Sequence, residues 1–147
     1  MLRAIDIPPF WLSAMLLVTW AMSWVWAGPS LGWLALGIIG LGLVLIGAAV
    51  LTMVVARTSF IPRRDPNALV MTGPFRISRN PIYLGDALVL LGGIAWWGAW
   101  AALPLLPLFM VLITTRYIRD EEDRLRSAFG ADFDAWSQKV PRWVWKL

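Results

Sequence analysis

The residues of this chain best suited to chemistry begin at Arg79, where the sequence runs Arg-Asn-Pro-Ile-Tyr-Leu-Gly-Asp as far as Asp86. Asparagine is favoured just before a helix and proline in its first turn, so Asn80 and Pro81 predict a helix start. The N–H groups of such a turn carry partial positive charge, and Arg76 lies just upstream together with Arg79. This combination predicts a site for an anion such as a carboxylate or a phosphate, of which a lipid phosphate is the simplest.

Three further residues of the same helix could bind or react. Tyr83 supplies a hydroxyl group, and Gly85 leaves space for a close approach. Asp86 is followed by an apolar run, and an ionisable residue in such a place is costly, which makes it a candidate functional residue. Alternatively, Asp86 lies near the helix start and pairs with Arg76 or Arg79, and its position favours this orienting role.

A second acidic cluster, Asp-Glu-Glu-Asp, follows the last apolar run. Asp120 with Arg124, and Glu122 with Arg126, have the i, i+4 spacing and order of helical ion pairs. Glu121 has no partner at that spacing. Glu122 falls on the apolar stripe of the helix, which should face protein or membrane and contains Ile118, Leu125 and Phe129. A solvated charged surface therefore explains the aspartates better than the two glutamates.

The elements that must position these residues have the composition of membrane helices. Of 147 residues, 59% are hydrophobic and 15% are charged, which is far from the soluble average. Residues 7–56 and 87–115 contain no Asp, Glu, Lys or Arg, and a membrane-spanning helix needs roughly 20 apolar residues. The first run is too long for a signal peptide and lacks a basic leader and a cleavage site. We therefore expect one integral membrane domain over residues 1–147.

Four spans are predicted in an all-α fold, followed by a cytoplasmic helical segment over residues 118–147. The spans are residues 8–27, 31–55, 81–100 and 101–117, the first closed by Gly28-Pro29 and the last perturbed by Pro104 and Pro107. Four spans place all 13 basic residues on one side, which by the positive-inside rule is the cytoplasm, here of a bacterial inner membrane. These residues are Arg3, Arg57, Arg63, Arg64, Arg76, Arg79, Arg116, Arg119, Arg124, Arg126, Lys139, Arg142 and Lys146.

The absent residue types exclude several classes of function. The chain has no Cys and no His, which excludes disulfides, thiolate chemistry, Cys or His metal sites and a histidine base. It contains neither a GxGxxG motif nor a P-loop, so a soluble nucleotide-binding fold is excluded, and no nucleic-acid partner is expected. In the second span, Gly40 and Gly42 favour close helix packing by small residues on spacing alone.

Taken in order, these motifs resemble the small integral-membrane methyltransferases that include phosphatidylethanolamine N-methyltransferase and isoprenylcysteine carboxyl methyltransferase. The shared order is Gly-Leu-Gly in one span, Gly-Pro-Phe and Arg-Asn-Pro-x-Tyr-x-Gly opening the next, and Glu-Glu after the last. The resemblance covers about residues 31–143. It implies S-adenosylmethionine as methyl donor, bound between the last two spans and the segment after them, and a lipophilic methyl acceptor among the membrane lipids.

By position, the resemblance implies donor-binding roles for nine residues: Gly40, Gly42, Arg79, Asn80, Pro81, Tyr83, Gly85, Glu121 and Glu122. The prenylcysteine enzymes usually carry histidine where this chain has Asn80, so the resemblance leans towards a phospholipid amine acceptor over an isoprenylcysteine-like carboxylate. A carboxylate needs no base, whereas an amine must lose a proton to a group such as Asp86, Tyr83 or either glutamate. Asp86 and Tyr83 are the candidate catalytic residues.

A rival hypothesis from another class is a non-catalytic membrane scaffold or lipid-binding subunit. In that case the arginines would hold lipid phosphates and the glutamates would form surface ion pairs. Binding of S-adenosylmethionine distinguishes the two hypotheses, because a scaffold has no reason to bind a methyl donor.

Overall fold

A computed structural model describes residues 7–59, 61 and 64–144 of the chain. Arg3, Arg63 and Lys146, which entered the count of basic residues, lie outside the described residues. All regular secondary structure within the described ranges is helical, which confirms the all-α prediction there. The helices are α1 (Pro8–Ser23), α2 (Trp33–Val55), α3 (Pro81–Trp97), α4 (Leu105–Ile113) and α5 (Arg119–Lys139), with 3-10 turns at Gly73–Arg76 and Trp100–Ala102 and a π-helical turn at Thr114–Ile118.

Two helical stretches are long and apolar enough to cross a membrane, namely Trp33–Val55 and the continuous stretch Trp100–Phe129. Helix α3 is apolar but shorter, and α1 has 16 residues. A crossing takes roughly 20 residues of helix, so length and composition identify two candidate spans within the described residues. The four-span arrangement stays a prediction.

The predicted helix boundaries differ from the observed ones mainly near the fourth span. Helix α3 begins at Pro81 as predicted and ends at Trp97, where Gly98 has a left-handed φ of 62°. The next helix begins only at Leu105, because Pro104 occupies the position before it and Pro107 lies in its first turn. A first turn has no internal use for the N–H that proline lacks. The prolines therefore lie where the helical stretch that starts at Trp100 changes from a 3-10 turn to an α-helix.

Small residues bring α2 and α3 into close contact. A Cβ atom on Gly85 would lie 2.5 Å from Cγ1 of Ile46 and 2.7 Å from the carbonyl oxygen of Gly42. Gly92, two turns further along α3, packs in the same way against Ile39. The contacts advance along α3 as they retreat along α2, so the two helices are antiparallel. Absent side chains let the backbones approach, which is how helices gain packing contacts in a membrane.

Helix α3 lies at the centre of the molecule, with α1, α2 and α4 packed around it. Its buried residues Leu90 and Ile94 pack with Phe109 and Ile113 of α4 in the main hydrophobic core. The outward face of α2 instead exposes large apolar side chains, among them Leu41, Val44 and Leu51. An apolar outer surface of this kind suits contact with lipid.

The two loops that lack basic residues meet at one end of the molecule. The Gly28 N–H donates to the Gly98 carbonyl oxygen at 2.8 Å, and the Leu31 N–H donates to the Ala95 carbonyl oxygen at 3.0 Å. The indole Nε1 of Trp100 donates to the Pro29 carbonyl oxygen at 3.0 Å. The start of α3 lies at the other end, where α5 also packs.

Helix α5 contains a break at Gly130, a residue type that is common where helices end. This glycine has φ 48° and ψ −118°, which are not helical values, and the helix resumes after it as far as Lys139. The resumed part is amphipathic and buries Phe133 and Trp136. The chain becomes extended at Val140, immediately before Pro141, as expected for a helix that a proline stops.

Candidate active site

A cavity of about 470 Å³ lies at the end of the molecule where α3 begins, enclosed by α2, α3, α5 and the segment before α3. Its volume is within the usual range for small-molecule sites, which is roughly 300–1,000 Å³. Ile46, Val50 and Met53 of α2 form part of its apolar wall. The polar lining includes Arg64, Arg79, Tyr83, Asp86, Glu121 and Arg124. A site of this kind is mostly apolar with a few charged groups of both signs.

A hydrogen bond between Tyr83 and Glu121 connects α3 to α5 across the cavity wall. The Tyr83 hydroxyl donates to Oε1 of Glu121 at 2.7 Å. The ring of Tyr83 also packs against Tyr117, with 6.5 Å between centroids. Tyr117 lies in the π-helical turn, a distortion that is frequent at functional sites. The turn is the local element that joins α4 to the glutamates of α5.

Asp86 lies one turn beyond Tyr83 on α3, lines the cavity and is only 7% exposed. Its carboxyl group forms no hydrogen bond or ion pair with any other described residue. Arg79 pairs with Glu122 instead, and Arg76 is exposed. The structure therefore contradicts the alternative in which Asp86 pairs with Arg76 or Arg79. A buried carboxyl group that faces a cavity without a partner is a candidate for contact with a ligand.

Glu122 lies between two arginines and is 8% exposed. Arg142 donates from Nε to Oε1 at 3.0 Å and from Nη2 to Oε2 at 2.6 Å. Arg79 approaches the same carboxylate through Nη2, 3.1 Å from Oε1. The hydrogen bond to Glu122 raises the pKa of Arg142 above its usual value. Glu122 thus binds protein cations and is absent from the cavity lining.

The predicted ion pair between Glu122 and Arg126 is wrong. Arg126 instead pairs with Asp123 at 3.6 Å and with Asp134 at 3.0 Å, because both carboxylates are exposed beside it while Glu122 points into the protein. Arg124, which was predicted to pair with Asp120, forms an ion pair with Asp65 at 3.5 Å.

Asn80 occupies the position before α3, as predicted, but its side chain does not cap the helix. Its Nδ2 group donates to the carbonyl oxygen of Arg142 at 3.0 Å. The backbone N–H of Asn80 donates to Oγ of Ser78 at 3.1 Å, and that hydroxyl donates in turn to the same Arg142 carbonyl oxygen at 3.0 Å. The predicted N-cap role of Asn80 is wrong, because its side-chain amide donates to the Arg142 carbonyl oxygen instead. No local signal in the sequence points to Ser78 or Arg142.

The cavity brings together six of the predicted site residues and leaves out four. Those that line it are Arg79, Asn80, Pro81, Tyr83, Asp86 and Glu121. Gly42 and Gly85 lie at the contact of α2 and α3, and an added Cβ on Gly40 would meet no atom within 4 Å. With Glu122, these glycines are absent from the lining. Close helix packing accounts for Gly42 and Gly85. Binding of a methyl donor by the glycines stays a prediction.

The fold and the cavity define a small all-helical protein with membrane-type helices and a charged, partly apolar site at one end of them. A comparison with protein families matches residues 30–132, and the chain belongs to the phospholipid methyltransferase family. The resemblance expected from the motifs is therefore confirmed. Helix α1 and residues 133–147 lie outside the matched range.

The curated proteins include a relative, the cobalt-zinc-cadmium resistance protein CzcN of Cupriavidus metallidurans. It is 30% identical over 122 residues, which are 83% of this chain and 52% of CzcN. The chain therefore spans about half the length of this relative. No solved structure matches the chain.

The family generally uses S-adenosylmethionine, and the residues present fit this molecule. Its carboxylate needs a cation, and Arg79 lines the cavity with a buried Nε that has no hydrogen-bond partner within the described residues. Its ammonium and ribose hydroxyls need acceptors, and Glu121 lines the cavity with a carboxylate that can supply one. The apolar wall suits the adenine ring and the methylene groups.

Proposed function

We propose that the chain is a membrane-embedded methyltransferase that uses S-adenosylmethionine to methylate a lipophilic acceptor, most specifically the amine headgroup of a phospholipid. The observation that carries this proposal is the unpartnered carboxyl group of Asp86 beside the Tyr83–Glu121 pair, in a cavity of a phospholipid methyltransferase family member. Two carboxylates disfavour an anionic acceptor and favour a cationic amine, which weighs against the isoprenylcysteine-like carboxylate.

The residues of the chain bind and orient the two reactants. Arg79 holds the donor carboxylate, while Glu121, fixed by the Tyr83 hydroxyl, accepts hydrogen bonds from the ammonium or the ribose. When bound, S-adenosylmethionine supplies the methyl group by in-line displacement at its methyl carbon. Such a reaction forms no covalent bond to the protein, so alignment of the reacting atoms is the main contribution of the site. An amine acceptor arrives as an ammonium ion, and Asp86 takes its proton.

The test is incubation of the purified protein with methyl-labelled S-adenosylmethionine and a total membrane lipid extract, followed by identification of the labelled lipid. We expect label in an amine headgroup, which stays non-volatile when mild alkali cleaves the acyl chains. Label that mild alkali releases as volatile methanol would indicate a carboxyl methyl ester and the other acceptor class. If the protein neither labels a lipid nor binds the donor, the scaffold hypothesis replaces the proposed function.

We further propose that the chain crosses a bacterial inner membrane four times, with both termini in the cytoplasm. Contact between the two loops that lack basic residues supports an even number of crossings, because it puts both loops at one end of the molecule. The basic residues then share the opposite side, as the positive-inside rule requires.

Cysteine labelling tests this topology, since the chain has no Cys of its own. Ser30→Cys and Leu103→Cys are expected to react with an impermeant thiol reagent added to intact spheroplasts, and Ser127→Cys only after the membrane is opened. Gly98 is unsuitable, because it has a positive φ and an added Cβ would collide with the Gly28 carbonyl oxygen. Labelling of Ser127→Cys from outside would contradict the topology; the cysteine-free parent is the control.

A further inference from the structure

Residues 140–143, here called the C-terminal segment, return from the end of α5 to the start of α3. Trp143 is 2% exposed in the main core, and its Nε1 donates to Oγ1 of Thr114 in the π-helical turn at 3.2 Å. The carbonyl oxygen of Pro141 accepts a hydrogen bond from the Arg79 N–H at 2.9 Å. The segment lies outside the part of the chain that the family matches, yet it is packed into the wall beside the candidate site.

Arg142 connects this segment to the Arg-Asn-Pro motif at the start of α3 and to the Glu-Glu pair of α5. Its carbonyl oxygen accepts hydrogen bonds from the side chains of Ser78 and Asn80, each at 3.0 Å. Its guanidinium group binds both oxygens of Glu122. Bidentate pairing of this kind fixes geometry as well as charge.

The charges around Glu122 leave one positive charge in excess. Arg142 occupies both carboxylate oxygens, so Arg79 makes a single contact with Glu122, through Nη2, and its buried Nε has no hydrogen-bond partner among the described residues. If Arg142 were neutral, both oxygens of Glu122 would be open to Arg79. A full bidentate pair would then hold Arg79 and cancel the charge that it presents beside the cavity.

We infer that Arg142 is a positioning residue: by saturating Glu122, it keeps Arg79 available to the anionic group of the methyl donor. The inference rests on the proposed function, because it needs a donor with a carboxylate in the cavity. Arg142 touches neither the cavity nor a reactant, and it acts through Glu122 and Arg79.

The experiment compares two nucleosides on the purified full chain. S-adenosylhomocysteine carries the amino-acid carboxylate of the donor, and 5′-methylthioadenosine lacks it. Arg142→Gln is expected to weaken S-adenosylhomocysteine about tenfold, a typical value for a charge-assisted hydrogen bond, and to leave 5′-methylthioadenosine unchanged. Arg142→Lys should recover part of the loss, because it keeps the charge without the two-pronged geometry. Lys139→Gln, an exposed change of the same charge, should match the wild-type protein.

The outcomes separate the inference from the proposed function. Equal weakening of both nucleosides in Arg142→Gln would mean general damage to the cavity and would overturn the positioning role. Unchanged binding of both would overturn it as well. If Arg142→Gln does not fold, Arg142→Lys gives the same comparison between the nucleosides. Failure of the wild-type protein to bind S-adenosylhomocysteine would contradict the proposed function, and the inference would fall with it.

Discussion

Replacing Glu122 by glutamine is expected to lower the free energy of unfolding by roughly 3–5 kcal/mol, the usual cost of removing one partner from a buried ion pair. The Glu122 side chain is 10% exposed, and it compensates the charges of Arg79 and Arg142 at once. Glutamine keeps the shape but leaves the two guanidinium groups side by side without a counter-charge. The partial exposure of Arg142, at 35%, favours the lower end of this range.

Glu121→Gln is the matched control, because it removes a neighbouring charge of the same type. The glutamine oxygen can still accept the hydrogen bond from the Tyr83 hydroxyl, and Arg124, whose charge acts on Glu121, keeps its ion pair with Asp65. Its unfolding free energy should therefore stay within about 1 kcal/mol of the wild-type value. Thermal and denaturant unfolding of both variants, without ligand, measures the contrast. Equal stability of the two variants would contradict the structural role given to Glu122.

The resemblance implied that both glutamates bind the donor. The partner expected for Glu122 came instead from the spacing of helical ion pairs, which assigns it to Arg126. The actual partners, Arg79 and Arg142, come from other parts of the chain. Distant partners of this kind are set by tertiary packing, and periodicity within one helix carries no information about them.

Much of the fold could be predicted because apolar runs and helix breakers act locally. Pro81 begins α3 and Gly130 interrupts α5, both as the residue types indicate. In the fourth predicted span, the perturbation expected at Pro104 and Pro107 corresponds to a 3-10 turn that becomes an α-helix only at Leu105. The π-helical turn that continues α4 into α5 has no comparable sequence signal.

Part of the candidate site could also be predicted, because two of its residues lie close together along one helix. Tyr83 and Asp86 are three residues apart on one helix, so they share a face and reach the same cavity. Gly42 and Gly85 were grouped with them by resemblance, but both lie at the α2–α3 contact, which small residues alone explain. The Arg-Asn-Pro-x-Tyr-x-Gly motif therefore contains residues that line the cavity and also a glycine that packs α3 against α2.

Asp86→Asn is expected to slow methyl transfer to an amine acceptor by about 100-fold or more, the usual contribution of a general base. The asparagine side chain would keep the size of the aspartate but could not take the proton of the ammonium group. Because Asp86 has no ion pair with Arg79, its loss should leave the affinity for S-adenosylhomocysteine nearly unchanged. The measurements are single-turnover rates with the labelled acceptor and binding of the nucleoside.

The pH dependence of the same rate distinguishes a base from a structural group. For the wild-type protein the rate should rise with pH through an apparent pKa, since a base acts only in its deprotonated form, and the variant should lack that step. Asp132→Asn, an exposed change of the same type on α5, should keep both rate and profile. A variant that keeps the wild-type profile but loses nucleoside affinity would assign Asp86 to donor binding. A carboxylate acceptor would give a rate nearly flat above neutral pH in both proteins, because such an acceptor arrives already ionised and needs no base.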